Sequence, residues 1–407
     1  MVQHIRTLRT LALVPAVLTL FPACSQSKQT GPNSGGPLTP RSESSLRTVN
    51  IPHTTVKWQS IGNCWAYAAL GWVESMVLRT GTEPLPNFSE SYMTYRHFEV
   101  QLLSLDRGEL QTGGSFYEAT QLILKFGLMS EADFAPEEAS LTRSERQKRA
   151  TATLNESLKT GPLSESRSEE VIRAELDRAF GVNMRSLEKK IINPETLFVS
   201  AGRGGKGQLS EVMPRWTNVE WPVNYTDYPK APATGLKPTV QPSGELNDSQ
   251  KRVLRRAMRA MNAGYPVVLN WFVDFNAMTS AGEFSLEKLI ESGSGRQGYH
   301  STVLEDYLAE GTDPNTNEPF VTPEGEVSPE LKSKAATFGN LTSFITKNSW
   351  GGSERLDRPS YLRDGERGYH KLKSDYLFSF IPEFDEETKE FTGYTTGINS
   401  IIIPPGF

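Results

Sequence analysis

The sequence predicts an α+β chain with a helical amino half and a strand-rich carboxyl half. Three observations carry this. Apolar residues recur at i, i+3, i+4 and i+7 in the segments that start near Cys64, Ser89 and Ser115. Short β-branched and aromatic runs bounded by turn residues recur after Pro266. Between the halves lies a charged stretch over 138–250, read as a mainly helical insertion.

A chain of 407 residues is long enough for one large bilobal unit or two ordinary domains. Hydrophobic content of 37% with 10% aromatics marks it as globular. A net charge of -5 excludes a general nucleic-acid binder, which needs a basic surface to displace counterions. Two cysteines, Cys24 and Cys64, exclude a disulfide framework. No cofactor is expected. The run Gly202-Arg203-Gly204-Gly205-Lys206-Gly207 lacks the Gly-Lys-Ser/Thr ending of a phosphate loop and reads as an ordinary loop. No metal is expected either. Asp313, Asn315, Asn317 and Glu324 space their oxygens loosely like a calcium loop, but Glu318 stands where the sharp turn requires glycine.

Residues 1–23 read as a signal peptide, with Arg6 and Arg9 ahead of an apolar run from Leu11 to Phe21. Its end, Leu20-Phe21-Pro22-Ala23-Cys24, resembles a bacterial lipoprotein signal, which implies lipidation of Cys24 and anchoring to a membrane of the cell envelope. An ordinary cleaved signal is the alternative, and both export the protein. Residues 24–46, rich in Ser, Gly, Pro and Thr, read as a flexible tether. A helical lobe is assigned to 47–137, the insertion to 138–250 and a strand-rich lobe to 251–407.

Asn63 is a candidate N-cap for a helix carrying Trp65, Ala68, Ala69, Trp72, Val73 and Met76, with Arg79 in its last turn and Gly81 at C′. Ser89 caps a second helix with Tyr92, Tyr95, Phe98 and Leu102 on one stripe, and a third runs to Phe126 and stops at Gly127. In the insertion, Ser166 and Glu169 have capping-box spacing ahead of a helix through Phe180. A helix with Val253, Leu254, Ala257, Met258 and Met261 leads to strands at 267–273, 300–304, 341–347, 368–372 and 398–403.

Cys64 falls in the first turn of its helix, where unpaired N–H groups and the helix dipole favour a thiolate. Taken alone it reads equally as a buried cysteine or a nucleophile. A nucleophile needs a base and a group that orients the base. Of the five histidines, His4 lies in the signal, His53 in the extended lead-in, His97 on an aromatic helix and His370 in a strand with basic and polar residues. His300 opens a strand at the rim of a sheet, and Asn348 follows another strand with Trp350 beside it. An asparagine carbonyl can fix an imidazole tautomer while an indole keeps water from that bond. Sequence distance alone does not bring these residues together.

The segment Gly62-Asn63-Cys64-Trp65-Ala66-Tyr67-Ala68 resembles the active-site segment of papain-like cysteine peptidases. Gly298-Tyr299-His300-Ser301-Thr302 is similar to the family's histidine strand, and Lys347-Asn348-Ser349-Trp350-Gly351 to its asparagine segment. The order Cys, His, Asn is the family's, and the resemblance covers roughly residues 50–136 and 250–380. It looks closer to the bleomycin hydrolase-like branch, which also carries a helical insertion and no large propeptide. The resemblance implies a helical lobe and an antiparallel β-barrel lobe with a cleft between them, and a peptide or protein substrate. Cys64 would be the nucleophile, His300 the acid and base, Asn348 its orienter, and Gln59 an oxyanion donor. Gln59 lies five residues before Cys64, one fewer than is usual in the family. Gly113, Gly114 and Trp350 would contact substrate. Two other functions share these residues: a surface binding protein on an inactive peptidase scaffold, and an enzyme that transfers the acyl group to an amine.

Overall fold

Helix α1 (Cys64–Leu78) is buried from Cys64 through Val77, on every face, and so belongs to the interior. Around it, the computed structural model describes residues 51–81, 86–104, 108–202, 205–233, 236–323, 327–352, 358–363 and 365–407. The expected signal, Cys24 and the tether lie outside the described residues, as does Glu324.

Helices α2 (Glu90–Leu103) and α3 (Phe116–Phe126) pack beside α1 and complete the helical side. Ser89 and Ser115 accept the N–H groups of Tyr92 and Glu118, which caps each first turn. The stripe expected on α2 is buried against the helices Arg146–Thr160 and Glu169–Phe180, with Tyr95, Phe98, Leu154, Leu176 and Phe180 in one apolar cluster. Each such side chain contributes about 1.5–3 kcal/mol by leaving water. The insertion therefore covers a face of α2 that would otherwise be wet.

The first half of the 138–250 segment is helical, but the second half has strands and only short helical turns before Asp248. Of the glycine-rich run expected as a loop, Gly202 ends β1 (Phe198–Gly202) and Gly205 to Gly207 fall in β2 (Gly205–Gln208), two strands that pair antiparallel with Val199 buried in the main core. Strand β3 (Thr217–Glu220) then pairs with the chain's last strand, so the sheet begins inside this segment. The expected Ser166 cap is displaced: Ser168 is the N-cap and accepts the Val171 N–H, because the helix starts at Glu169. Gly81 does have a left-handed φ of 70°, but the helix closes at Arg79, which places Gly81 one position beyond C′.

The remaining strands are β4 (Val267–Asp274), β5 (Glu283–Phe284), β6 (Gln297–Thr312), β7 (Pro319–Val321), β8 (Asn340–Lys347), β9 (Tyr361–Arg363), β10 (Glu366–Lys373), β11 (Phe380–Phe384), β12 (Phe391–Thr396) and β13 (Ile398–Ile403). The main sheet runs β3-β13-β4-β6-β8-β10-β5, with β7 on β6 and β9 on β10. Every pair is antiparallel except β10–β5. The α+β two-lobe class is as expected. Barrel closure is not seen among the described residues: β3 and β5 end the path and do not pair with each other, and β5 is only two residues long. Strand β6 lies at the centre and packs directly on α1. That contact brings the amino end of α1 against the residues after His300.

Candidate active site

Cys64 is the first residue of α1 and lines a cleft of about 160 Å³ together with His300, Gly113 and Gly114. Asn63 occupies the cap position but does not cap. Its Nδ2 instead donates to Thr94 Oγ1 and Gln147 Oε1, both at 3.0 Å, which ties the Cys64 turn to α2 and the insertion. Burial opposes the expected thiolate. Burial pushes the Cys64 thiol up to about 11, although the N–H groups of Ser301 and Trp65 pull the other way. The Ser301 N–H reaching the sulfur also places the thiol beside the backbone next to His300.

His300 is buried and pairs across the ladder with Trp271. Its Nε2 lies 2.7 Å from Asn348 Oδ1, an oxygen that can only accept, so Nε2 carries the proton. Nδ1 is buried without a hydrogen-bond partner and is therefore the available base. Burial pushes the imidazole down to about 4; the bond to Asn348 opposes this and the Arg358 cation reinforces it. Burial thus disfavours the charged form of both Cys64 and His300.

Asn348 follows β8, and its N–H donates to Gly368 O at 3.1 Å. Gly368 has φ of 97°, and a Cβ there would lie 2.7 Å from Gly351 O, so this turn admits only glycine. Asn348 Oδ1 also accepts the Ser349 N–H at 2.7 Å, while Nδ2 lies 3.1 Å from His370 Nδ1. Trp350 stacks on the His300 ring with centroids 4.6 Å apart and planes 20° apart. It is buried, and it shields the His300–Asn348 bond instead of lining the cleft.

Gln59 is buried, and its carboxamide is turned inward. Nε2 donates to Ile61 O at 2.9 Å, and Oε1 accepts from Ser349 Oγ at 2.5 Å. With the Gln59 N–H on Ser349 O at 2.9 Å, it ties the loop before Cys64 to the loop after Asn348. It is not among the cleft-lining residues. Gly113 and Gly114 are. A Cβ on Gly114 would sit 2.5 Å from Trp65 Cε2, so this glycine is required by the indole beneath it. Trp65 Nε1 donates to Thr112 O at 2.9 Å and fixes that loop.

Beneath Asn348 lies a second, water-sized cavity of about 20 Å³ among Lys57, Glu74, Glu90 and Lys347. Lys57 Nζ meets Glu90 Oε1 and Oε2 at 2.7 and 2.9 Å. Burial alone would lower the Lys57 pKa, but Glu74 and Glu90 outweigh it and hold the ammonium charged. Burial dominates at Lys347 and lowers it. His53 belongs to the same layer, 2.8 Å from Glu305 Oε2. His97 packs edge-on against Trp65 and bonds Gln111 O, so both histidines are structural.

Sequence reasoning set His370 aside although the structure puts it in contact with Asn348. A register signal existed: His370 pairs with Thr346, two residues before Asn348 on the adjoining strand. Asn218 and Asn399 of the cleft come from β3 and β13, far apart in the chain though paired in the sheet, and had no local signal.

No protein-family model and no curated protein matches the chain. Among solved structures, PepW from Lactobacillus rhamnosis is similar at 14% identity and a TM-score of 0.40, over 90% of this chain and 82% of its own. Xylellain, a cysteine protease from Xylella fastidiosa, is similar at 12% identity and a TM-score of 0.36, over 96% and 99%. The clostridial cysteine protease Cwp84 is similar at 10% identity and a TM-score of 0.34, over 86% of this chain and 54% of its own.

Proposed function

We propose that the protein is an exported, lipid-anchored papain-like thiol peptidase, of the bleomycin hydrolase-like branch, that cleaves peptide bonds by acyl transfer. One observation carries the reading. His300 donates Nε2–H to Asn348 Oδ1 at 2.7 Å and leaves a partnerless Nδ1 in the same cleft as the Cys64 thiol. Burial disfavours separated charges on the pair, so His300 Nδ1 takes the thiol proton as sulfur attacks the carbonyl carbon. The resulting imidazolium gives that proton to the leaving amine as the C–N bond breaks. Water, deprotonated by Nδ1, then hydrolyses the thioester and the thiol is restored.

First-turn N–H groups of α1 have no intrahelical acceptor, and the Cys64 N–H is the proposed oxyanion donor. Gln59 joins it if its amide turns from Ile61 O. The inward carboxamide is also the feature that favours the alternative, a binding protein without turnover. Gly113 and Gly114 are proposed to take the substrate backbone, with Trp350 acting only through His300.

Mature protein treated with a thiol-directed epoxide and a peptide library tests this. Labelling of Cys64 with hydrolysis is expected. No labelling and no cleavage leaves a binding protein, and labelling with amine incorporation makes it a transferase. Cys24→Ala should release the protein from membranes; equal partition of both forms to the soluble fraction removes the anchor.

A further inference from the structure

We propose that His370 is a positioning residue that sets the orientation of the Asn348 carboxamide and, through it, the tautomer of His300. Its two ring nitrogens face different partners. Nε2 lies 3.2 Å from Pro359 O, an acceptor only, so the proton belongs on Nε2. Nδ1 is then a lone-pair acceptor, 3.1 Å from Asn348 Nδ2. The two ends of an asparagine amide are nearly the same size, and only their partners distinguish them. Turned by half a rotation, Asn348 would set its oxygen against the His370 lone pair and its NH2 against His300 Nε2–H. Both contacts would be repulsive. The Ser349 N–H on Oδ1 favours the same orientation as His370. The relay thus runs from the Pro359 carbonyl through His370 and Asn348 to His300, and each link fixes the donor sense of the next.

The relay requires a neutral His370. The ring is buried between Phe284, at 5.8 Å, and Trp350, at 5.0 Å. The charged groups acting on it are the Arg358 cation and His300 when protonated, and both oppose a second proton. Burial pushes it down to about 3. When His300 becomes an imidazolium, its charge is therefore held at His300 and is not passed along the chain.

This inference rests on the peptidase reading for its kinetic test but not for its spectroscopic one. His370→Phe keeps the ring volume and removes the acceptor. It should lower kcat about 10- to 100-fold, the effect of a buried donor left unpaired, with KM little changed. His370→Asn keeps an acceptor near the Nδ1 position and should recover most of kcat, although its smaller side chain lowers the melting temperature further. In an Asn348→Ala background, His370→Phe should cost nothing more. Equal kcat losses in the two variants, or losses that multiply in the double variant, would overturn the proposal. Nitrogen-15 histidine spectra of the full mature protein at pH 7 decide independently of turnover. Both His300 and His370 should be neutral with the proton on Nε2, and His370→Phe should mix the His300 tautomers. A His370 protonated on Nδ1 overturns the relay even in a protein with full activity. A protein that turns over nothing but shows the expected tautomers overturns only the peptidase reading.

Discussion

Acid should destabilise this protein through its buried histidines, and His370 isolates the effect. Its folded pKa of about 3 lies below the ordinary value of 6.5. Below pH 6.5 the unfolded chain gains a proton that the folded chain refuses, so the unfolded state binds more protons and stability falls as pH falls. The loss stops only below the folded value. Between about pH 7.5 and pH 4.5 the unfolded histidine crosses roughly two units of its titration, which is about 2.7 kcal/mol at 1.36 kcal/mol per unit. Denaturant unfolding of wild type and His370→Phe across that range measures the difference. Buried carboxylates such as Glu90 contribute to both proteins and cancel. The variant should lose about 2.7 kcal/mol less than wild type on acidification. Parallel stability curves would refute the claim that this ring is neutral and buried.

Three further perturbations follow from particular contacts. Lys57→Met leaves Glu74 and Glu90 buried without their cation, and should cost about 3–5 kcal/mol in a denaturant melt, with part returning at low pH as Glu90 protonates. Gly114→Ala drives a methyl into Trp65 and should cost about 1–3 kcal/mol while raising KM for peptides; an unchanged melt and KM would mean the loop yields freely. Gln59→Ala should lower kcat about 100- to 1000-fold if the amide turns to serve the oxyanion. A change in melting temperature with kcat nearly intact would leave Gln59 as the tie to Ser349 alone.

The parts of the site that were legible in the sequence are those whose chemistry is local. A cysteine at a helix start and an asparagine after a strand occupy the expected elements, whereas His300 is the fourth residue of the central strand β6 and does not open a strand at the rim. Strands β4, β8, β10 and β13 fell within a residue or two of their predicted bounds because their apolar runs end at turn residues. What escaped was set by distant partners. Asn63 gives up its cap because Thr94 and Gln147 compete for its amide. Gln59 faces inward because Ser349, far along the chain, holds its oxygen. Lys206 and Gly207 of the glycine-rich run pair with Ser200 and Val199, and Val199 is buried in the core. The thiol is pushed towards its neutral form because it is buried, which opposes the helix start that favours a thiolate.

The central claim is that Cys64 forms a thioester with His300 as its base. Intact-mass measurement after mixing mature protein with an activated peptide ester tests it most directly. Wild type should gain one acyl mass on Cys64 that disappears with turnover. His300→Ala should acylate far more slowly, and Cys64→Ala should gain no mass. A wild-type protein that never gains the acyl mass, or a Cys64→Ala protein that gains it equally, would contradict the account.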